Sequence, residues 1–228
     1  MQILIDIGIL AVAYIFGSIP FGLLIVKFKT GKDIRTIESG RTGGTNAMRA
    51  AGFWAGILTA FLDVSKGAAA VWVARVIDPQ NNLLHVLAPI AAILGHNYSI
   101  FLIERDENGR FVRLRGGAGG APSVGGAVGL WAVSLLIIIP LGAFVFFTLG
   151  YASVTTMSVA LFAIIVFTIR AIQGHGSWWD VLYGVAAELL LIWALRPNIQ
   201  KLIKGDERVV RLSLHGWLRA RKEKKSTA

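Results

Sequence analysis

Residues Ile3 to Val26 read ILIDIGILAVAYIFGSIPFGLLIV, a run of 24 residues in which Asp6 is the one charge. A stretch of roughly 20 mostly apolar residues is what crosses a bilayer as a helix. The run lacks a basic leading region and continues to Val26, so it reads as a first span rather than a cleaved signal. Working outward, similar runs follow at 52–75 and 84–103, separated by polar loops. The 228-residue chain is 55% hydrophobic and 16% charged, with a mean hydropathy of +0.64. That composition excludes an ordinary soluble domain and leaves no length for a second core.

The net charge of +10 would fit nucleic acid if it formed one soluble face. It lies instead between and after the apolar runs, which is a topology signal, and no nucleic-acid partner is expected. Six basic residues (Lys27, Lys29, Lys32, Arg35, Arg41 and Arg49) separate the first two runs, and the tail from Lys201 to Lys225 is denser still. The positive-inside rule places both in the cytoplasm. The loop 104–117, with Arg105, Arg110, Arg113 and Arg115, belongs on the same side. A basic tail then requires an even number of crossings after Gly119. Four fit, at 120–132, 135–149, 153–169 and 178–195, the first two short.

The expectation is an all-α integral membrane protein of about seven transmembrane helices, one or two of them short, with the amino end outside and the carboxyl end cytoplasmic. A plain hydropathy count of six remains the alternative. Residues 1–204 form the polytopic membrane domain and 205–228 a basic cytoplasmic tail. Within the tail, Val209–Leu218 reads either as an amphipathic helix on anionic lipid or as a solvated end. Cysteine is absent, so disulfides and thiolate metal sites are excluded.

Four polar constellations stand out. The first is Glu38-Ser-Gly-Arg-Thr-Gly-Gly-Thr-Asn46 followed by Arg49, where glycines let backbone N–H groups approach an anion and arginines supply charge. A plain turn-rich loop has the same composition. The second is Arg115-Gly-Gly-Ala-Gly-Gly-Ala-Pro-Ser, with four glycines in five residues ahead of a helix start. Free N–H groups at the positive end of a helix bind phosphate, whereas close helix packing is the alternative use of such glycines. Its spacing matches neither a Walker loop nor a dinucleotide fingerprint.

The third constellation is a set of ionisable residues within spans, which are costly in lipid. Asp63 and Lys66 share a helix face and can pair. His96, between Gly95 and Asn97, reads as a base or phosphate donor, or as a packing histidine, and Glu188 has no identified partner. The fourth is Arg196-Pro-Asn-Ile199 with Lys201, where the last span ends. No nucleophile–base pair or metal-ligand cluster is visible, so chemistry there rests on positioning and charge neutralisation.

These segments together resemble the bacterial acyl-phosphate-dependent glycerol-3-phosphate acyltransferase family, PlsY. The likeness runs through Gly17-Ser-Ile-Pro-Phe-Gly22, Gly31-Lys-Asp-Ile-Arg35, Ser39-Gly-Arg-Thr-Gly-Gly-Thr-Asn46 with Arg49, Leu62-Asp-Val-Ser-Lys-Gly67, Gly95-His-Asn97, Gly116-Gly-Ala-Gly119, and Arg196-Pro-Asn-Ile199 with Gly205 and Glu207, about residues 14–207. The resemblance implies a multi-pass enzyme of the inner (plasma) membrane, acting in phospholipid biosynthesis at its cytoplasmic face. It would transfer a fatty acyl group from acyl phosphate to the 1-hydroxyl of glycerol 3-phosphate, giving lysophosphatidate and phosphate. No cofactor, metal or obligate protein partner is implied; the partners are the two substrates and the bilayer.

Carried over by position, Ser39, Arg49, His96 and Asn198 are the expected catalytic residues. Gly40, Arg41, Gly43, Thr45, Asn46, Lys66, Gly116, Gly117, Gly119 and Arg196 are expected to bind substrate. Four departures from the family pattern matter. A motif lysine is Ala118, a histidine before the last motif is Leu195, a first-loop asparagine is Arg41, and the glycine that opens the first-loop motif is Glu38. Loss of one electrostatic donor removes about 2.7–4 kcal/mol of transition-state stabilisation. Two readings follow: an acyltransferase with a rearranged site, or a non-catalytic paralogue that binds or moves a phosphorylated lipid or organophosphate.

Overall fold

The computed structural model describes residues 1–210 and 212–226, with side chains through Arg221. Arg211, Thr227 and Ala228 of the expected tail lie outside the described residues. The chain runs α1 (Gln2–Ser18), α2 (Phe21–Thr30), a 3₁₀ turn at Ile34–Thr36, α3 (Gly44–Ala51), α4 (Phe53–Ile77) and α5 (Asn82–Asn97). It continues as β1 (Ile103–Arg105), β2 (Phe111–Leu114), α6 (Gly120–Leu130), α7 (Ser134–Leu149), α8 (Ala152–Ile172), α9 (Trp178–Ile203) and α10 (Leu214–Ser226).

The expected first span is a broken helix. Proline cannot donate a backbone N–H and pushes the residue before it out of the helical region. Ile19 is accordingly extended, with φ −58° and ψ 117°, and α2 restarts at Phe21. The break frees the Ile19 carbonyl, which Lys66 Nζ meets at 3.2 Å. By length and apolar composition, 2–30, 53–77, 152–172 and 178–203 are long enough to cross a membrane. The remaining expected crossings fall on the shorter α5, α6 and α7.

Two expectations need correction. The third span does not run to 103; α5 ends at Asn97 and Ile103 already lies in β1. The polar sequence there gives the backbone other partners. Ser99 N–H donates to the Arg115 carbonyl at 2.9 Å and Arg115 N–H to the Leu102 carbonyl at 2.9 Å, which leads into the β1–β2 hairpin. The all-α description therefore has one small antiparallel exception. In the tail, helix begins at Leu214 rather than Val209, because Val209 bridges to Tyr151 and the Val210 N–H donates to the Gly150 carbonyl.

The bundle buries ionisable groups beside its apolar core and exposes large apolar side chains. Asp63 and Lys66 are 1% and 0% exposed, whereas Trp54 is 75% and Phe61 65% exposed on the same helix. That inversion is stable in lipid and not in water. The core cluster joins Val71 of α4, Ile93 of α5, Ala127 of α6, Phe167 of α8 and Tyr183 of α9. The α4 and α6 backbones touch closely: a Cβ on Gly67 would run into the Pro122 carbonyl. Small residues allow such contacts between helices in lipid. This is the packing use of glycine weighed above, and it applies to the helical part of the second glycine-rich segment.

Candidate functional site

Short α3 begins at Gly44, just after Gly43, whose backbone is extended, and it stands beside the start of α6 and the last turns of α9. These three pieces of chain line one cavity of about 410 Å³. The first loop and α3 contribute Ser39, Arg41, Gly43, Thr45, Asn46 and Arg49. From α4 and α5 come Asp63 and His96, from the α6 entry Ala118, Gly119 and Gly120, and from α9 Leu195, Asn198 and Lys201. Two helix N-termini thus face the same space, each with a positive dipole end. One wall is apolar, built from Ile57, Ala60, Ala121 and Ala152.

Arg41 ties the site together. Its Nη2 donates to the Ala194 carbonyl at 2.8 Å and to Asn198 Oδ1 at 3.0 Å. Its Nη1 is buried and makes no hydrogen bond. Burial pulls the Arg41 pKa below the ordinary arginine value, opposed chiefly by the nearby Glu207 carboxylate. Asn198 in turn donates from Nδ2 to Glu207 Oε1 at 3.0 Å. The first loop is held from within by Asn46, whose Nδ2 donates to the carbonyls of Ile37 and Arg41 at 3.0 and 2.9 Å. Its 3₁₀ turn is capped by Asp33, whose carboxyl Arg35 holds below the usual carboxylate range by hydrogen bonding. At the rim, Glu38 pairs with Arg208.

His96 belongs to a charged group that the sequence hides. Its Nδ1 lies 3.5 Å from Asp63 Oδ1, which is 2.9 Å from Lys66 Nζ. Asp63 was legible as the helix-face partner of Lys66; its approach to His96 joins two helices through residues with no common sequence spacing. Among the described residues, no group of three His, Asp or Glu is placed to hold a metal ion.

Several expected substrate-binding residues lie outside the cavity lining. Lys66 is fully buried behind Asp63, occupied by that carboxylate and the Ile19 carbonyl. Gly40 packs on Arg115 and the Arg35 carbonyl. Gly116 accepts from Thr42 N–H at 3.3 Å, which joins the two loops. Gly117 donates its N–H to the His96 carbonyl at 2.9 Å, and a Cβ there would fall on His96 Nε2. Arg196 is exposed, its guanidinium 4.1 Å over the Trp193 ring. Ala118 and Leu195, the two departures that remove a basic side chain, both line the cavity beside Arg41.

Comparison with known proteins identifies the family. The family model described as glycerol-3-phosphate acyltransferase matches residues 7–205. A glycerol-3-phosphate acyltransferase of Thermus thermophilus is 37% identical over 199 residues, covering 87% of this chain and 92% of its own. One from Prochlorococcus marinus is 34% identical over 202 residues, covering 89% and 96%. The crystal structure of PlsY (YgiH), an integral membrane glycerol 3-phosphate acyltransferase, superposes in its glycerol 3-phosphate form with a TM-score of 0.76 at 26% identity, covering 90% of this chain and 95% of that one. Its lysophosphatidic acid form gives 0.74 at 25% identity, covering 91% and 96%. Sequence over most of the length and fold over nearly all of it agree, and this chain belongs to the glycerol-3-phosphate acyltransferase family, PlsY, an integral membrane acyltransferase.

Proposed function

We propose that the chain transfers a fatty acyl group from acyl phosphate to the 1-hydroxyl of glycerol 3-phosphate, giving lysophosphatidate and inorganic phosphate, at the cytoplasmic face of the inner membrane. One observation carries the reading. The loop before α3, the start of α6 and the end of α9 line one cavity, and Arg41 spans it with a buried, unpartnered Nη1. Two phosphate-bearing substrates need this kind of surface, in which charge and N–H groups converge on a small volume beside an apolar wall.

In the proposed reaction the 1-hydroxyl oxygen forms a bond to the acyl carbon as the bond from that carbon to the phosphate oxygen breaks. The hydroxyl proton passes to a phosphate oxygen, so no protein base is required. The protein supplies position and charge. Arg41 and the two helix N-termini neutralise phosphate. Ser39, Thr45 and Arg49 lie along the entrance, Asn198 orients Arg41, and His96 faces the cavity held by Asp63. Ile57 and Ala60 border the place for the acyl chain. Such preorganised charge is usually the largest contribution a site of this type makes.

The test is direct. Purified protein in detergent, given acyl phosphate and glycerol 3-phosphate, is expected to release phosphate in step with lysophosphatidate. Phosphate release without lysophosphatidate, or neither product despite a folded protein, would refute the reading.

A further inference from the structure

The family match ends at residue 205, and α10 lies beyond it. The segment leading to α10 is firmly docked. Val209 bridges to Tyr151, the Val210 N–H donates to the Gly150 carbonyl at 2.8 Å, and buried Ser213 sits against Gly150. His215 Nδ1 lies 3.2 Å from the Leu149 carbonyl, and its ring packs on Tyr151. All of these anchors fall on the turn between α7 and α8.

The helix has two unlike faces. Gly216, Arg219 and Ala220, spaced i, i+3 and i+4, line an outer cavity of about 770 Å³ that shares Glu38, Thr45, Arg49 and Arg208 with the site described above. Leu214, Trp217 and Leu218 share the opposite face at the same spacing and are 56%, 55% and 44% exposed. Arg221, one further turn along, places its guanidinium 5.3 Å over the Trp217 ring. In the sequence Lys222, Lys224 and Lys225 follow. Apolar residues, an aromatic ring and an arginine on one face, followed in the sequence by a run of lysines, are the recognition chemistry for an anionic bilayer surface. The site of attachment agrees, because α7 exposes Phe144, Phe147 and Leu149 on the apolar exterior of the bundle, and α10 is tied to its end.

We infer that α10 is an interfacial helix whose outer face binds anionic lipid headgroups, seating Trp217 and Leu218 in the membrane while its inner face walls the entrance to the site. The inference does not depend on which reaction the cavity performs.

The natural absence of cysteine makes a clean test possible with the full chain. A nitroxide is placed at Leu218→Cys, and separately at Ala220→Cys, in vesicles of phosphatidylcholine alone or with a third of it replaced by phosphatidylglycerol. The label at 218 is expected to be accessible to oxygen and shielded from a water-soluble nickel complex with phosphatidylglycerol present, and to shift several-fold toward aqueous accessibility without it. The label at 220 is expected to report a wet environment in both. Leu214→Cys, on the outer face, is expected to repeat the result at 218 and guards against local distortion there. An aqueous signal at 218 and 214 in both vesicles overturns the inference. So does equal shielding in both, which shows apolar contact without charge recognition, and so does spin–spin broadening, which would place a second copy of the chain on that face.

Discussion

Arg41 Nη2 donates to Asn198 Oδ1 at 3.0 Å, joining residues 157 positions apart in the chain. The bond fixes a guanidinium whose Nη1 has no hydrogen-bond partner among the described residues. A buried donor left unpaired costs roughly 1–3 kcal/mol, a cost that a bound phosphate would offset on the proposed reading. Arginine suits this role because its fork is planar and can bond protein and phosphate at once.

Arg41→Ala is therefore expected to lower kcat by about 10²–10³, the effect of removing one electrostatic donor from a preorganised site. Arg41→Lys is expected to recover part of the loss, since it restores charge without the fork. Steady-state phosphate release across a glycerol 3-phosphate titration measures both. An Arg41→Ala enzyme of full activity would remove Arg41 from the mechanism.

Ala118 and Leu195 line the same cavity as Arg41, so the missing basic side chains and the additional one meet in space. If they stand in for each other, their effects will not add. Ala118→Lys in the Arg41→Ala background is expected to restore kcat at least about tenfold, while the same change in the otherwise unaltered chain has a smaller effect. The difference between the two effects is the coupling energy, about 1.4 kcal/mol for a tenfold rescue with no gain in the unaltered chain, readable from a double-mutant cycle.

The ion pair of Asp63 and Lys66 is buried on both sides. Removing one partner strands a charge in the bundle, which costs about 3–5 kcal/mol. Asp63→Asn and Lys66→Met are each expected to lower the midpoint of thermal unfolding in detergent. The double variant is expected to recover most of the Asp63→Asn loss, though the Ile19 carbonyl keeps only the Phe21 N–H of its two donors. A loss in the double variant equal to the sum of the two single losses would mean that the pair carries no coupling.

The sequence made some of this legible and concealed the rest for identifiable reasons. Apolar runs located the helices because hydropathy is a local property, and the glycine–arginine loops were visible because phosphate-binding chemistry needs those residue types close together. Arg196 and Lys66 share those motifs yet lie outside the cavity lining, since motif membership does not say which way a side chain turns. Arg196 follows Trp193 by three positions and lies back over that ring, while Lys66 is drawn to a carbonyl freed by Pro20 on another helix. The approach of His96 to Asp63 depends on which faces of α4 and α5 meet, and periodicity within either helix is silent about that. The early end of α5 was missed because Ile100, Phe101, Leu102 and Ile103 are apolar enough to extend the run, although Ser99 and Arg115 divert the backbone into a hairpin.

Gly117 offers the sharpest test of how closely the second loop is built onto the site. Its N–H holds the His96 carbonyl at 2.9 Å, and any side chain at 117 would occupy the position of His96 Nε2. The imidazole is buried against Asp63 and cannot move aside without losing that carboxylate. Gly117→Ala is therefore expected to act through His96, lowering kcat by about 10²-fold, the scale on which misplacing a positioned group by about 1 Å is felt. His96→Ala should lower activity to a similar degree, and the double variant Gly117→Ala with His96→Ala should be no worse than His96→Ala alone, because the clashing ring is gone. Strictly additive losses in the double variant would show that Gly117 acts on activity by a route other than His96.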